Sequence, residues 1–179
     1  MHEQFREKIK GVNAIPVTPF RPDGEIDYDA LREGFRFLAD HGLQAIYPCG
    51  NTGEFYSLRL EEAKEVTRSA VDEVGDRALV IAGVGYDAKT AAELAVHAER
   101  SGADGVMVHQ PVHPFQREDG VLAYYREIAG ATSLPMVLYI RSEGISASTL
   151  RAAADIPNVV GVKYAVNHLP SFAQAVPQI

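Results

Sequence analysis

Lys163 closes the run Asn158-Val159-Val160-Gly161-Val162-Lys163, in which a single ammonium ends a stretch of apolar and small residues. The run reads as a buried strand with the lysine at its C-terminal end. Partial desolvation there disfavours the charged form and lowers the pKa. A neutral amine attacks carbonyl carbons and gives Schiff bases. The same residue also reads as a lysine leaving a strand for solvent, so its chemistry depends on its neighbours.

Four other groups could supply those neighbours. Gly50-Asn51-Thr52-Gly53-Glu54 places two glycines around Asn51 and Thr52. Backbone N–H groups in such a loop, with the Thr52 hydroxyl, can hold a carboxylate; the alternative is an ordinary turn into the next helix. Tyr139 stands near the end of Pro135–Ile140, where a phenol can relay protons or simply pack. Arg141 follows and could bind a second carboxylate bidentately, or stand as a solvated loop cation. His109 and His113 invite a metal reading by their spacing, but Pro111 and Pro114 exclude a helix that would align the two rings. No metal site is expected. Cys49 is the single cysteine, which excludes an internal disulfide, fits a reducing cytoplasm and reads as a small buried hydrophobe.

The elements that must position these residues alternate. Apolar runs recur at 12–17, 45–48, 78–84, 105–109, 135–140 and 159–163. Helical spacing lies between them. Leu31, Phe35 and Leu38 follow Asp27 as an N-cap and stop at Gly42; Val66, Ala70 and Val74 precede Gly75. Ala91, Leu94, Ala95 and Ala98 precede Gly102; Leu122, Tyr125 and Ala129 follow Gly120; Leu150, Ala153 and Ala154 follow Ser148. Strands apolar on both faces, alternating with helices, predict a parallel α/β sheet. No glycine-rich nucleotide fingerprint follows the first strand. Thr18, Asn51, Thr52, His109, Tyr139 and Lys163 fall at the C-terminal ends of several different strands, as in a barrel rather than at one switch point of an open sheet.

Composition bounds the partners. The chain has 179 residues, 46% hydrophobic and 23% charged, which suffices for one domain with a core. A net charge of −7 argues against nucleic acid or an anionic membrane surface as partner. No run approaches a membrane span, and the first residues lack the apolar core of a signal peptide.

Thr18-Pro19-Phe20, Gly50–Glu54, Tyr139 and Gly161-Val162-Lys163, in this order, resemble the dihydrodipicolinate synthase / N-acetylneuraminate lyase family of class I aldolases. The resemblance implies a (β/α)8 TIM barrel acting on pyruvate or another 2-keto acid. Lys163 would form the imine and Tyr139 would relay protons. Thr52, Asn51, Gly53 and Arg141 would bind substrate. The iminium is itself an electron sink, so no metal or organic cofactor is expected.

Departures qualify the resemblance. Asn51 stands where the family's synthases have a second Thr. His113 stands where they have a Tyr lent across a dimer interface, which makes it an intersubunit or accessory candidate in an expected homo-oligomer. Tyr139-Ile140-Arg141 and Gly50–Leu58 resemble the 5-dehydro-4-deoxyglucarate dehydratase branch, which implies a sugar-acid-derived keto acid as substrate. Six strands are expected where the full barrel has eight, so residues 1–179 are read as one incomplete TIM-barrel domain. The competing reading is a non-catalytic truncated barrel that serves as a binding or interaction remnant.

Overall fold

The computed structural model describes residues 3–178 other than 114 and 143. Six strands, β1 (Asn13–Ala14), β2 (Ala45–Ile46), β3 (Leu79–Val84), β4 (Gly105–Val108), β5 (Met136–Ile140) and β6 (Val159–Tyr164), pair in parallel in strictly sequential order. Helices α1 (Glu3–Lys8), α2 (Tyr28–Asp40), α3 (Leu60–Val74), α4 (Ala88–Ser101), α5 (Glu118–Ala131), α6 (Ala147–Ala154) and α7 (Leu169–Ala175) complete the unit. Sequential order without reversal is the winding of a barrel. The six βα units make a half-barrel, as expected.

Helix ends follow local chemistry. The Asp27 carboxylate accepts from the Ala30 N–H, and Asp87 accepts from Lys89 and Thr90. Gly75 and Gly102 end α3 and α4 with φ of +54° and +90°, where a Cβ would be strained. Two sequence readings need correction. The helix expected after Gly120 begins at Glu118 and buries Val121, Tyr124, Tyr125 and Ile128, leaving Leu122 and Ala129 half-buried. The sixth helix is capped by Ser146, two residues before the expected Ser148, because the Ser146 hydroxyl is the one that accepts from the Thr149 N–H. The first run also forms less ladder than expected: only Asn13 and Ala14 pair, while Val12 and Val17 are each 65% exposed.

The apolar residues divide into two bodies, one on each face of the sheet. The larger lies between strands and helices and includes Phe35, Val66, Leu94, Ile128, Leu138 and Ile140. The smaller fills the inner face, with Tyr47, Ile81, Met107, Val137, Tyr139 and Val160. Phe5 of α1 joins the inner group, and a Cβ on Gly105 at the start of β4 would stand 2.9 Å from its ring. The N-terminal end of the lumen is thereby plugged.

Strand β6 carries one residue too many for simple pairing with β5. Met136 opposes Val159, but Val137 opposes Gly161, so Val160 is left over. Beyond that shift Leu138 opposes Val162 and Tyr139 opposes Lys163. Facing residues in paired strands share a side of the sheet. Tyr139 belongs to the inner group, so the shift brings Lys163 to the inner face. Unshifted pairing would set Val162 against Tyr139 and turn Lys163 toward the helices.

Two outcomes are expected. Deleting Val160 removes the residue left over, so Val137 should stay opposite Gly161 in a regular ladder and nuclear Overhauser contacts between Tyr139 and Lys163 should persist; their replacement by contacts between Tyr139 and Val162 would contradict Val160 as the extra residue. Residues 1–179 expressed by themselves should self-associate, because β1 and β6 are open edges and Leu169, Phe172 and Val176 are exposed. Sedimentation checks this, and a monomer with a sharp two-state melt would contradict it.

Candidate active site

Lys163 and Tyr139 are cross-strand neighbours near the C-terminal ends of β6 and β5. The Lys163 Nζ lies 4.4 Å from the centroid of the Tyr139 ring. Burial lowers the Lys163 pKa from the ordinary lysine value. Lys163 also borders a cavity of about 330 Å³ lined by Ile15, Tyr47, Val137 and Gly161. A half-buried amine of lowered basicity thus faces a half-open, mainly apolar space.

Asn51 reaches the same group from the loop after β2. Its Nδ2 donates to the Tyr139 hydroxyl oxygen at 3.0 Å. Because the amide donates, the phenol's own O–H remains free to donate elsewhere.

The Gly50–Glu54 loop is held by its own backbone and by the segment that follows β1. The Gly53 and Phe55 N–H groups bond the Gly50 carbonyl, and the Glu54 N–H bonds that of Asn51. These donors are therefore occupied. The N–H groups of Asn51 and Thr52 donate to no partner among the described residues, and both residues are exposed. The buried Thr18 hydroxyl donates to the Gly53 carbonyl at 2.7 Å. A Cβ on Gly53 would stand 2.9 Å from the Pro16 carbonyl, so glycine permits this approach. Thr18, noted in sequence as a polar residue at a strand end and as part of a motif, is the loop's anchor.

Arg141 follows β5 and rises over the Tyr56 ring at 5.3 Å from its centroid. Gln110, buried at the end of the fourth strand run, fixes it there. Its Oε1 accepts from the Arg141 N–H at 2.7 Å and its Nε2 donates to the Ser142 hydroxyl at 3.1 Å. His113 lies apart, exposed, with its Nδ1 accepting from the Phe115 N–H at 3.2 Å. Pro114, which entered the metal argument, lies outside the described residues. Among the described residues no group of three or more His, Cys, Asp or Glu is placed to hold a metal ion. Cys49 is buried, and desolvation pushes its thiol up to about 12, which keeps it protonated and unreactive.

Sequence reasoning gave His109 no role beyond its place at a strand end, and missed Gln110. Both are fully or almost fully buried under the site. The available signal was polar residues closing an apolar strand, the same signal that marks Lys163. Burial lowers the His109 pKa to about 4, against a smaller opposing effect of its bond to the Cys49 carbonyl.

That depression makes stability depend on pH. An unfolded imidazole takes its proton near 6.5, the folded one only near 4. Between those values the unfolded chain holds more protons, so acidification favours unfolding. The contribution is complete above pH 6.5 and is lost on descending to pH 4, with a magnitude on the order of 3 kcal/mol. Denaturant midpoints measured across pH 4–7 should fall accordingly, and His109→Gln should flatten the slope in that window. An equal slope in the variant would assign the effect to other groups.

Comparison with known proteins places this geometry. The profile described as the dihydrodipicolinate synthetase family matches residues 8–179. The chain is 39% identical over 163 residues to a 4-hydroxy-tetrahydrodipicolinate synthase of Chlorobaculum parvum, covering 88% of this chain and 55% of the relative. It is 38% identical over 170 residues to a probable 5-dehydro-4-deoxyglucarate dehydratase of Saccharopolyspora erythraea, covering 94% and 55%. Among solved structures, a dihydrodipicolinate synthase from Bacillus clausii superposes with a TM-score of 0.94 at 46% identity, over 98% of this chain and 60% of the other. An N-acetylneuraminate lyase from Mycoplasma synoviae does so with a TM-score of 0.87 at 29% identity, over 96% and 60%. The chain thus spans a little over half the length of these curated relatives. With its sequential parallel half-barrel and a lysine beside a tyrosine at the strand ends, the chain belongs to the dihydrodipicolinate synthetase family.

Proposed function

We propose that this site forms a lysine imine with pyruvate or a related 2-keto acid and serves a lyase or synthase. The observation that carries the reading is Lys163, lowered in pKa by burial and set beside Tyr139 on the inner face. The Nζ lone pair attacks the keto carbon. The carbinolamine then loses water, and Tyr139 supplies the proton that the departing hydroxyl needs. The iminium withdraws electrons from C3. It accepts the pair left when a C3–H bond, or a bond from C3 to the next carbon, breaks; the resulting enamine can expel a hydroxyl on the neighbouring carbon. Asn51 holds the Tyr139 oxygen in place through each proton transfer.

The free N–H groups of Asn51 and Thr52 are suited to the substrate carboxylate. Arg141, carried over Tyr56, suits a second carboxylate or a polyhydroxylated tail. Asn51 in place of a hydroxyl residue donates an amide hydrogen and cannot pass a proton onward. That favours chemistry in which Tyr139 alone exchanges protons, as in the dehydration of a sugar-acid-derived keto acid.

Borohydride reduction of the complete gene product with pyruvate should leave one reduced adduct on the peptide containing Lys163. Lys163→Arg should give no adduct and no turnover, since guanidinium forms no imine. Wild-type protein without an adduct would support the non-catalytic reading instead. Tyr139→Phe should lower the rate on the order of 10²–10⁴-fold with a smaller change in binding. Thr52→Ala should raise the KM for the keto acid, and an unchanged KM would remove Thr52 from the carboxylate site.

A further inference from the structure

His109 is fully buried just beyond the end of β4, and the chemistry proposed above does not use it. Its ring nevertheless touches both flanks of the Gly50–Glu54 loop and the Tyr139 ring. Nε2 lies 2.9 Å from the Cys49 carbonyl oxygen. A carbonyl only accepts, so the imidazole carries its proton on Nε2. Nδ1 is buried with no partner among the described residues, as the bare nitrogen of that tautomer. One ring face lies flat on Phe55, with centroids 4.4 Å apart and planes 2° from parallel. The ring also meets Tyr139 at 5.6 Å and 74°. Cys49 and Phe55 are the residues immediately before and after the Gly50–Glu54 loop.

The surroundings are shaped for these contacts. A Cβ on Gly83 would come within 2.0 Å of the Cys49 oxygen and 3.1 Å of the His109 Nε2. A Cβ on Gly85 would come within 2.9 Å of the Phe55 ring and 3.0 Å of the His109 Cβ. Cys49 itself holds a left-handed φ of +58°, a conformation that a residue with a Cβ keeps only when its surroundings enforce it.

We infer that His109 is a positioning residue: it clamps both ends of the Gly50–Glu54 loop, through the Cys49 carbonyl and the Phe55 ring, and buttresses Tyr139 with its edge. The loop amides and the phenol are thereby kept at one spacing around a substrate held on Lys163, a consequence that rests on the imine reading. The clamp itself rests only on the geometry.

Two substitutions separate the contacts. His109→Phe keeps a ring against Phe55 and Tyr139 but removes the donor. The KM for the keto acid should rise roughly tenfold, the usual scale for an unpaired buried acceptor, with kcat within about threefold. His109→Gln keeps a donor but loses the ring. It should restore KM to near wild type while kcat falls, because Tyr139 has lost its support. A space-filling histidine would lower the melting temperature in both variants and leave KM and kcat unsplit, which would overturn the inference. Two measurements do not depend on turnover. Long-range proton–nitrogen correlation spectra of the complete gene product should show the Nε2–H tautomer at His109, and an Nδ1–H tautomer would overturn the clamp. Amide exchange at Gly53 and Glu54 should speed up in His109→Phe relative to His109→Gln, and equal exchange would also overturn it. If borohydride traps no adduct in wild-type protein, the imine reading fails, and these two measurements still decide the clamp.

Discussion

Side chains alternate between the two faces of a strand, so one residue inserted between paired strands exchanges the faces of everything beyond it. Val160 is that residue in β6. Before it, Val159 packs with the outer core. After it, Gly161 and Lys163 share the inner face with Val137 and Tyr139. A lysine on the outer face would bury its amine among the leucines and isoleucines of the helical layer, far from any carbonyl substrate. The place of Lys163 on the inner face and its contact with Tyr139 both follow from this shift. Gly161 adds to it by leaving open space beside Lys163, since a Cβ there would meet nothing within 4 Å.

The second constraint is the fixation of a loop that leaves two N–H groups free. A loop whose amides all bond internally is rigid and cannot bind an anion; one whose amides are all free is mobile. Gly50–Glu54 divides them. Gly53, Glu54 and Phe55 spend their N–H groups within the turn, while those of Asn51 and Thr52 remain available. Support comes from outside: Thr18 on the Gly53 carbonyl, His109 on the Cys49 carbonyl, and the Tyr86 hydroxyl 2.6 Å from the Phe55 carbonyl. Phe55, Tyr56, Tyr86, His109 and Tyr139 form one continuous aromatic body beneath the loop. Rigid rings transmit position with little loss, which suits a site assembled from five strand ends.

Charge is arranged to match. The chain as a whole carries −7, yet Lys163 and Arg141 bring two cations to the C-terminal face of the sheet. Burial keeps His109 neutral beside them, so no third positive charge crowds the site. The carboxylates with lowered pKa, Asp87, Glu99, Glu118 and Asp119, are committed to capping, loop and ion-pair bonds with residues other than Lys163. That face therefore gathers positive charge and free amides in an acidic chain.

Much of this was legible in the residues. The apolar runs, their alternation with helical spacing, and the glycines at 42, 75 and 102 determined a parallel α/β unit, because burial and turn chemistry act within a few residues of each other. Lys163, Tyr139 and the Gly50–Glu54 loop were marked by polar groups standing at the ends of apolar strands. Helices α5 and α6 begin three and two residues before the expected positions; for α6 this is because the Ser146 hydroxyl is the one that reaches an N–H. The face that Lys163 occupies could not be read, because Val159-Val160-Gly161-Val162 is apolar throughout and carries no alternation to reveal the extra residue. Only pairing with β5 decided it. The place of His109 was likewise decided in three dimensions: its partners Cys49, Phe55 and Tyr139 lie up to 60 residues away in the chain, and only the sequential winding of β2 to β5 brings them together.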